Sequence, residues 1–328
     1  MIRRRHPDPE ESGFLYKPSR NCIPKRRKDV ITEKIRRVYG KLFVGGEWKV
    51  AYRERSNAEA EYNVIEAPEN TWIADPLLFE ENGQHYLFVE LFNRKLDKAG
   101  IGCYRFDDGK PVFLKQVIEQ PFHLSYPCVF TWQGEHYMIP ESAAGRTLDL
   151  YRAERFPDTW TMERHLLQDI RIVDTTVVQR NGELYALGYR KEGRQWALSV
   201  YRLDMNRKEL TQTAEEVFPV NTGRPAGYIL QDEWLRPAQD CSSVYGESVI
   251  WYQIDEMEGP VYREHPVKKM KVSDLPFSGK ADRVHTYSRD SRYEAVDLRV
   301  GRFDLFHGIK TLRRALNGAK AASNQSEG

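Results

Sequence analysis

The chain has 328 residues, 40% hydrophobic and 30% charged, with 50 basic against 48 acidic side chains and a formal charge of +2. A chain of this length buries a large core and suits a single all-β domain of roughly 250 residues with tails as well as it suits two domains. The near balance of charge supplies no global field to recruit nucleic acid or an anionic membrane, and no apolar run approaches the roughly 18–20 residues that span a bilayer.

Met1-Ile2-Arg3-Arg4-Arg5-His6-Pro7 is charged and leads into no apolar stretch, so it does not read as a secretory signal. Cys22, Cys103, Cys128 and Cys241 are scattered without CxxC spacing, which argues against both a zinc site and a disulfide framework. Cytoplasmic residence is the expectation.

In chain order, residues 1–37 are rich in Arg, Lys, Pro and Glu and are expected to form a basic flexible tail, with Lys25-Arg26-Arg27-Lys28 a solvated charge run. Between Lys41 and Tyr52 two apolar runs flank Gly45-Gly46, a hairpin signal. Then a unit begins that recurs. Trp72-Ile73-Ala74-Asp75-Pro76-Leu77-Leu78-Phe79 is followed by the turn Asn82-Gly83 and by His85-Tyr86-Leu87-Phe88-Val89-Glu90. Tyr126 to Phe130, Gln133-Gly134 and His136 to Ser142 repeat the pattern, and so do Val173 to Val178, Asn181-Gly182 and Leu184 to Tyr189. A looser fourth copy runs from Leu235-Arg236-Pro237-Ala238-Gln239-Asp240 to Trp251-Tyr252.

The period of about 50 residues points to stacked or radial units. Each of the first three units holds four strands: 74–80, 85–91, 100–106 and 111–119, then 126–132, 135–141, 147–153 and 160–167, then 174–180, 183–190, 196–203 and 209–218. Short, nearly all-apolar opening strands suit burial on both faces, and polar alternation in the last strands suits an outer rim. Radially repeated four-stranded units are propeller blades. After the fourth unit only two strands remain, Arg283 to Ser288 and Tyr293 to Asp297, so the 41–52 hairpin is expected to complete a fifth blade with them. The expected architecture is all-β, a five-bladed β-propeller over residues 38–300. Residues 301–328 follow as a short C-terminal helix, with Phe303, Leu305, Phe306, Ile309, Leu312 and Leu316 at helical spacing, and a polar disordered tail.

Innermost strands of a propeller converge on its axis, so function is sought at their starts. The expected set there is Asp75, Tyr126, Asp174, Arg236 with Asp240, and His285. A ring of carboxylates in a concave site suits glycosyl transfer, where one carboxylic acid protonates the leaving oxygen and another carboxylate acts as base or nucleophile.

The phrases Trp72-Ile73-Ala74-Asp75-Pro76, Pro121-Phe122-His123-Leu124-Ser125-Tyr126-Pro127, Tyr137-Met138-Ile139-Pro140-Glu141-Ser142, Arg224-Pro225-Ala226-Gly227, Arg236-Pro237-Ala238-Gln239-Asp240-Cys241 and His285-Thr286 carry a family resemblance. Over residues 40–298 the chain resembles the propeller domain at the N-terminus of plant glucosamine inositolphosphorylceramide transferase and bacterial proteins of similar layout. More distantly, its blade-opening Asp-Pro is similar to that of five-bladed propeller glycosidases of the arabinanase, invertase and levansucrase class. That resemblance implies Asp75 as base or nucleophile, Asp174 as transition-state stabiliser, and a general acid supplied by Glu141 or Asp240, since no Glu opens a blade after Asp174. Trp72, His123, Tyr126, Arg224, Arg236 and His285 are the expected substrate-binding residues. The same class implies a possible calcium ion near the axis, beside His285, although no ligand spacing in the chain is diagnostic of a metal.

Three readings follow. The first is a carbohydrate-active enzyme of an intracellular glycan or surface-polysaccharide pathway. The second is a non-catalytic glycan or nucleotide-sugar binding module serving a partner glycosyltransferase, and the third is a propeller scaffold for protein partners.

Overall fold

The computed structural model describes residues 44–303, and the expected basic tail of residues 1–37 lies outside them. The regular elements of the described chain are all strands apart from two short 3-10 turns. In chain order the strands are β1 (Val44–Glu54) and β2 (Asn63–Val64), then β3 (Thr71–Glu81), β4 (Gln84–Asn93), β5 (Lys98–Asp107) and β6 (Lys110–Ile118). Next come β7 (Ser125–Trp132), β8 (Glu135–Ser142), β9 (Thr147–Arg155) and β10 (Thr159–Gln168), followed by β11 (Val173–Arg180), β12 (Glu183–Glu192), β13 (Gln195–Asp204) and β14 (Glu209–Phe218). The last are β15 (Arg224–Pro225), β16 (Leu235–Asp240), β17 (Ser248–Glu258) and β18 (Val261–Met270), then β19 (Arg283–Arg289) and β20 (Tyr293–Phe303).

These strands form five four-stranded sheets, β3 to β6, β7 to β10, β11 to β14, β15 to β18, and β19-β20-β1-β2. They are blades 1 to 5 in that order, and the propeller is five-bladed. The fifth joins the two ends of the described chain, so closing the ring needs no extra element. It closes differently in detail from the expected 41–52 hairpin: Gly45-Gly46 lies inside the single strand β1, and its partner is the two-residue β2, through Ala51 opposite Val64 and Tyr52 opposite Asn63. The expected C-terminal helix also starts too early, because residues 301–303 belong to β20. Residues 304–328 lie outside the described part. Among the described residues no helix is long and apolar enough to cross a membrane.

Local sequence explains the blades. Asn82-Gly83, Gln133-Gly134 and Asn181-Gly182 all have positive φ at both positions, the two-residue turn whose twist matches that of the flanking strands. Inner strands are buried on both faces, with Ile73, Ala74, Leu77 and Leu78 at most 2% exposed. Adjacent blades then share apolar clusters. Leu77 of blade 1, Tyr126 and Ile139 of blade 2, and Val177 and Ala186 of blade 3 belong to one of them.

Blade 4 departs from the sequence-based expectation. Its inner strand is β15, only Arg224-Pro225, paired through Arg224 opposite Gln239 and Pro225 opposite Ala238. Arg236 and Asp240 therefore sit on the second strand of the blade and do not open it. Proline donates no ladder hydrogen bond, and so short a pairing carries no apolar periodicity to read.

Candidate functional site

Four inner strands share a local distortion. Pairing in β3 skips from Ala74 to Leu77, in β7 from Ser125 to Cys128, in β11 from Val173 to Thr176, and in β19 from Val284 to Tyr287. Within these bulges Asp75, Tyr126 and Asp174 have φ of 49°, 45° and 50°. Left-handed backbone costs a non-glycine residue on the order of 1–3 kcal/mol and persists only where surrounding contacts over-determine it. The three side chains are thereby turned to the axis and buried, Asp75 at 4%, Tyr126 at 0% and Asp174 at 1% exposure.

Around Asp75 the partners come from three other strands. One carboxylate oxygen accepts the Tyr126 backbone N–H at 3.2 Å and the other accepts the Thr286 hydroxyl at 3.1 Å. The Asp75 backbone N–H donates to Asp297 Oδ2 at 3.0 Å. Asp297 Oδ1 in turn accepts the N–H groups of His285 and Thr286 at 3.1 and 2.9 Å. His285 Nδ1 lies 2.6 Å from Asp297 Oδ2, its Nε2 lies 3.6 Å from Asp75 Oδ1, and its ring stacks on Trp48 at 3.8 Å. Burial pushes the Asp75 carboxyl up to about 7; His285 opposes this, and the charges of Glu90, Asp174 and Asp297 add to it. For His285, burial acts downward, but the adjoining Asp297 and Asp75 carboxylates outweigh it and raise its pKa.

Across the axis stands a second group. Arg224 forks onto Asp174, with Nε on one oxygen and Nη2 3.2 Å from the other, and Nη2 also reaches Glu141 Oε2 at 3.3 Å. Gln239 donates to Asp174 Oδ2 at 2.8 Å. Burial, then the charge of Asp174, holds the Glu141 carboxyl well above the usual carboxylate range, with Arg224 opposing. Tyr245 in the β16–β17 loop covers Arg224 at 5.2 Å and packs edge-on against His285 and Trp48. Tyr126 ties the middle: its hydroxyl accepts the Gly227 N–H at 2.7 Å and lies 2.7 Å from the Thr176 hydroxyl. Only glycine fits at 227, where φ is 139° and a Cβ would lie 1.9 Å from the Tyr287 carbonyl oxygen.

Of the residues singled out in the sequence, Asp75, Tyr126, Glu141, Asp174, Arg224 and His285 converge here. His123 stands beside them, its Nε2 3.1 Å from Glu90 Oε1. Trp72 lies off the axis, stacked on Phe92 at 4.6 Å. Arg236 and Asp240 are engaged elsewhere. Arg236 is fully buried against Glu264, donates to the Gly223 carbonyl at 3.0 Å, and lies 5.1 Å from the centre of the Tyr252 ring. Asp240 binds Lys269 of the outer strand and accepts the Ser242 N–H at 2.9 Å. Burial would raise its carboxyl, but these two donors hold it below the usual range, which does not suit a proton donor.

The chain also matches known proteins. A family model described as the N-terminal part of glucosamine inositolphosphorylceramide transferase 1 matches residues 48–302. The chain belongs to this family. Glucosamine inositolphosphorylceramide transferase 1 of Oryza sativa subsp. japonica is 31% identical over 212 residues, covering 60% of this chain and 28% of the rice protein. The Arabidopsis thaliana protein of the same name is 26% identical over 270 residues, covering 73% of this chain and 34% of that protein. The chain thus spans about a third of the length of these curated relatives. Among solved structures it is similar to a thermostable family-43 glycoside hydrolase (TM-score 0.51, 9% identity, covering 73% of this chain and 94% of the other). It is similar as well to the catalytic domain of the Coprinopsis cinerea GH62 α-L-arabinofuranosidase (TM-score 0.51, 12% identity, 76% and 97% covered). At such identities the likeness is one of fold.

In this member of the transferase N-terminal family, sequence reasoning passed over Asp297, Thr286, Glu90, Gln239 and the aromatic pair Trp48 and Tyr245. Asp297 and Glu90 had a signal: each is a carboxylate inside an apolar run, Ala295-Val296-Asp297-Leu298 and Val89-Glu90-Leu91. The calcium expectation does not fit the donor set. Asp75, His285 and Asp297 place one ligand atom each within 4.8 Å of the others, but calcium takes six to eight oxygens. Here two carboxylates and an imidazole already spend their facing atoms on the hydrogen bonds just described.

Proposed function

We propose that the axial funnel is a carbohydrate-active site that cleaves or transfers a glycosyl group, with Glu141 as general acid, Asp75 as general base or nucleophile, and Asp174 as the fixed carboxylate that stabilises the oxocarbenium-like transition state. One observation carries this reading: three carboxyls within a single buried network have different surroundings. Glu141 is held well above the usual carboxylate range, Asp75 is poised near neutrality, and Asp174 has both oxygens engaged by Arg224 and Gln239. Neighbouring carboxyls driven apart in this way divide the roles of acid and base. In hydrolysis the Glu141 proton passes to the glycosidic oxygen as its bond to the anomeric carbon breaks, and Asp75 takes a proton from the attacking water. Glu141 replaces Asp240 as the acid because Asp240 is held by Lys269. Tyr126, Arg224, His285 and His123 would position the sugar or the carboxyls, and the names of the relatives make an amino sugar the first glycosyl group to try. Free thiols at Cys103, Cys128 and Cys241 suit a reducing, cytoplasmic setting.

A second reading rests on Arg224, whose guanidinium spans Glu141 and Asp174 and occupies the gap between them. Under it the funnel binds a glycan or nucleotide sugar without chemistry and serves a partner glycosyltransferase. Turnover across a panel of nitrophenyl glycosides and nucleotide sugars decides between the two, with Asp75→Asn and Glu141→Gln alongside. Loss of roughly 10²-fold or more in each variant supports the enzyme. Saccharide binding without turnover supports the module, and neither turnover nor binding overturns both.

A further inference from the structure

Beside the funnel, where blade 5 meets blade 1, lies a cleft of about 380 Å³, within the roughly 300–1,000 Å³ range of ordinary small-molecule sites. Its walls come from the start of β1, the segment running from β2 into the start of β3, and Arg94 just after β4. The start of β3 leads to Asp75, so the cleft opens on the same face of the ring as the axial carboxyls. Trp48 forms the partition: it lines the cleft and stacks on His285 of the axis. Trp72 forms another wall, half-buried and stacked on Phe92 at 4.6 Å. It precedes Asp75 by three residues, which at a strand rise of 3.3 Å places it about 10 Å along β3.

Polar groups complete the walls. Arg94 forks onto Glu47, with Nε to Oε1 at 3.1 Å and Nη2 to Oε2 at 3.0 Å, and both side chains remain partly exposed, 36% and 24%. Lys49, Glu66 and Glu69 add further charge around the rim. Three carboxylates against two cations leave no excess positive charge, and the one guanidinium already has a carboxylate in its fork. A phosphate or nucleotide ligand needs the opposite. The half-buried Trp72 indole beside paired donors and acceptors suits a neutral ring with an apolar face and hydroxyl edges.

We infer that this cleft is a second saccharide subsite, holding sugar units beyond the one at the axis, with Trp72 as the stacking platform, Trp48 as the wall toward the axis and the Arg94–Glu47 fork bonding hydroxyls. The inference rests on the reading that the axis takes a sugar, and it makes the preferred ligand an oligosaccharide. It also assigns Trp72 to this cleft, off the axis.

The test is binding of the full chain to an array of matched mono-, di- and trisaccharides, some of them phosphorylated, comparing wild type, Arg94→Ala, Trp72→Ala and Asp75→Asn. Thermal melts verify that each variant is folded. Arg94→Ala is the milder change, since the backbone N–H of Arg94 keeps its bond to the Asn70 carbonyl. The expected result is a trisaccharide-to-monosaccharide affinity ratio above one in wild type that falls about ten-fold in Arg94→Ala and Trp72→Ala, while Asp75→Asn lowers both affinities together. A ratio unchanged by either cleft variant overturns the subsite and leaves the axial reading standing. Preference for phosphorylated glycans that Arg94→Ala abolishes overturns the neutral-saccharide assignment. If wild type binds no saccharide of any length, the axial reading fails and the subsite with it.

Discussion

Asp297 Oδ2 accepts the backbone N–H of Asp75 at 3.0 Å, linking residues 222 positions apart in the chain. The other Asp297 oxygen accepts two more backbone N–H groups, and the side chain is 0% exposed. One carboxylate thus fixes the left-handed turn of Asp75 in blade 1 and the bulge of β19 in blade 5, at the seam where the ring closes. Asp297→Ala leaves three buried backbone N–H donors and the His285 ring without their partner, each such group costing about 1–3 kcal/mol. A loss of several kcal/mol is expected in urea unfolding. Asp297→Asn keeps one oxygen and should lose less.

The axial carboxyls also set a pH dependence. The Asp75 carboxyl lies at about 7 in the folded chain against an ordinary 3.8, so between those values the folded state holds more protons than the unfolded one. Stability from this group is therefore full below about pH 4 and is lost as pH rises to 7. His285, also raised, has the same sign: its contribution is present at low pH and is lost as pH rises through its folded value. The fold should unfold at lower urea concentration at pH 8 than at pH 5. Asp75→Asn, neutral and of the same shape, should be more stable than wild type at pH 8 by on the order of a few kcal/mol and should flatten the profile. A wild-type stability that climbs from pH 5 to pH 8, with Asp75→Asn following it, would sink this account.

Local physics made most of the fold legible. Asn-Gly and Gln-Gly turns and apolar opening runs locate blades 1 to 3, because a two-residue turn and a doubly buried strand each leave a mark within ten residues. Blade 4 was misplaced because Arg224-Pro225 is too short to leave one, and the apolar run Leu235 to Asp240 took its place. At the site, Asp75, Asp174 and Glu141 were legible as carboxylates near strand ends. Their partners were not. Asp297 and Gln239 reach Asp75 and Asp174 from other blades, which depends on how the blades are arranged around the ring, and no spacing along the chain encodes that.

Arg224 is the only cation whose fork reaches both Asp174 and Glu141 among the described contacts. Arg224→Ala strips the buried Asp174 carboxylate of its counter-charge, and breaking a buried pair from one side typically costs about 3–5 kcal/mol. Arg224→Lys keeps the charge but not the fork and should fall between. Chemical denaturation of the two variants tests this, and a Lys variant no more stable than the Ala variant would mean that the positive charge alone contributes nothing.

Arg236 and Glu264 offer the contrasting case, a buried pair away from the axis. Both side chains are at most 1% exposed, and Tyr262 donates its hydroxyl to Glu264 at 2.6 Å. Arg236→Met leaves a buried carboxylate without its cation, so about 3–5 kcal/mol should be lost. Replacing both partners, Arg236→Met with Glu264→Gln, removes the stranded charge and keeps an acceptor for Tyr262. The double variant should then recover most of the loss, giving a coupling energy of at least about 1 kcal/mol in a double-mutant cycle. Saccharide binding by the folded double variant should match wild type, because neither side chain touches the axial network. A binding defect in a variant of restored stability would return Arg236 to the functional site that the sequence first suggested for it.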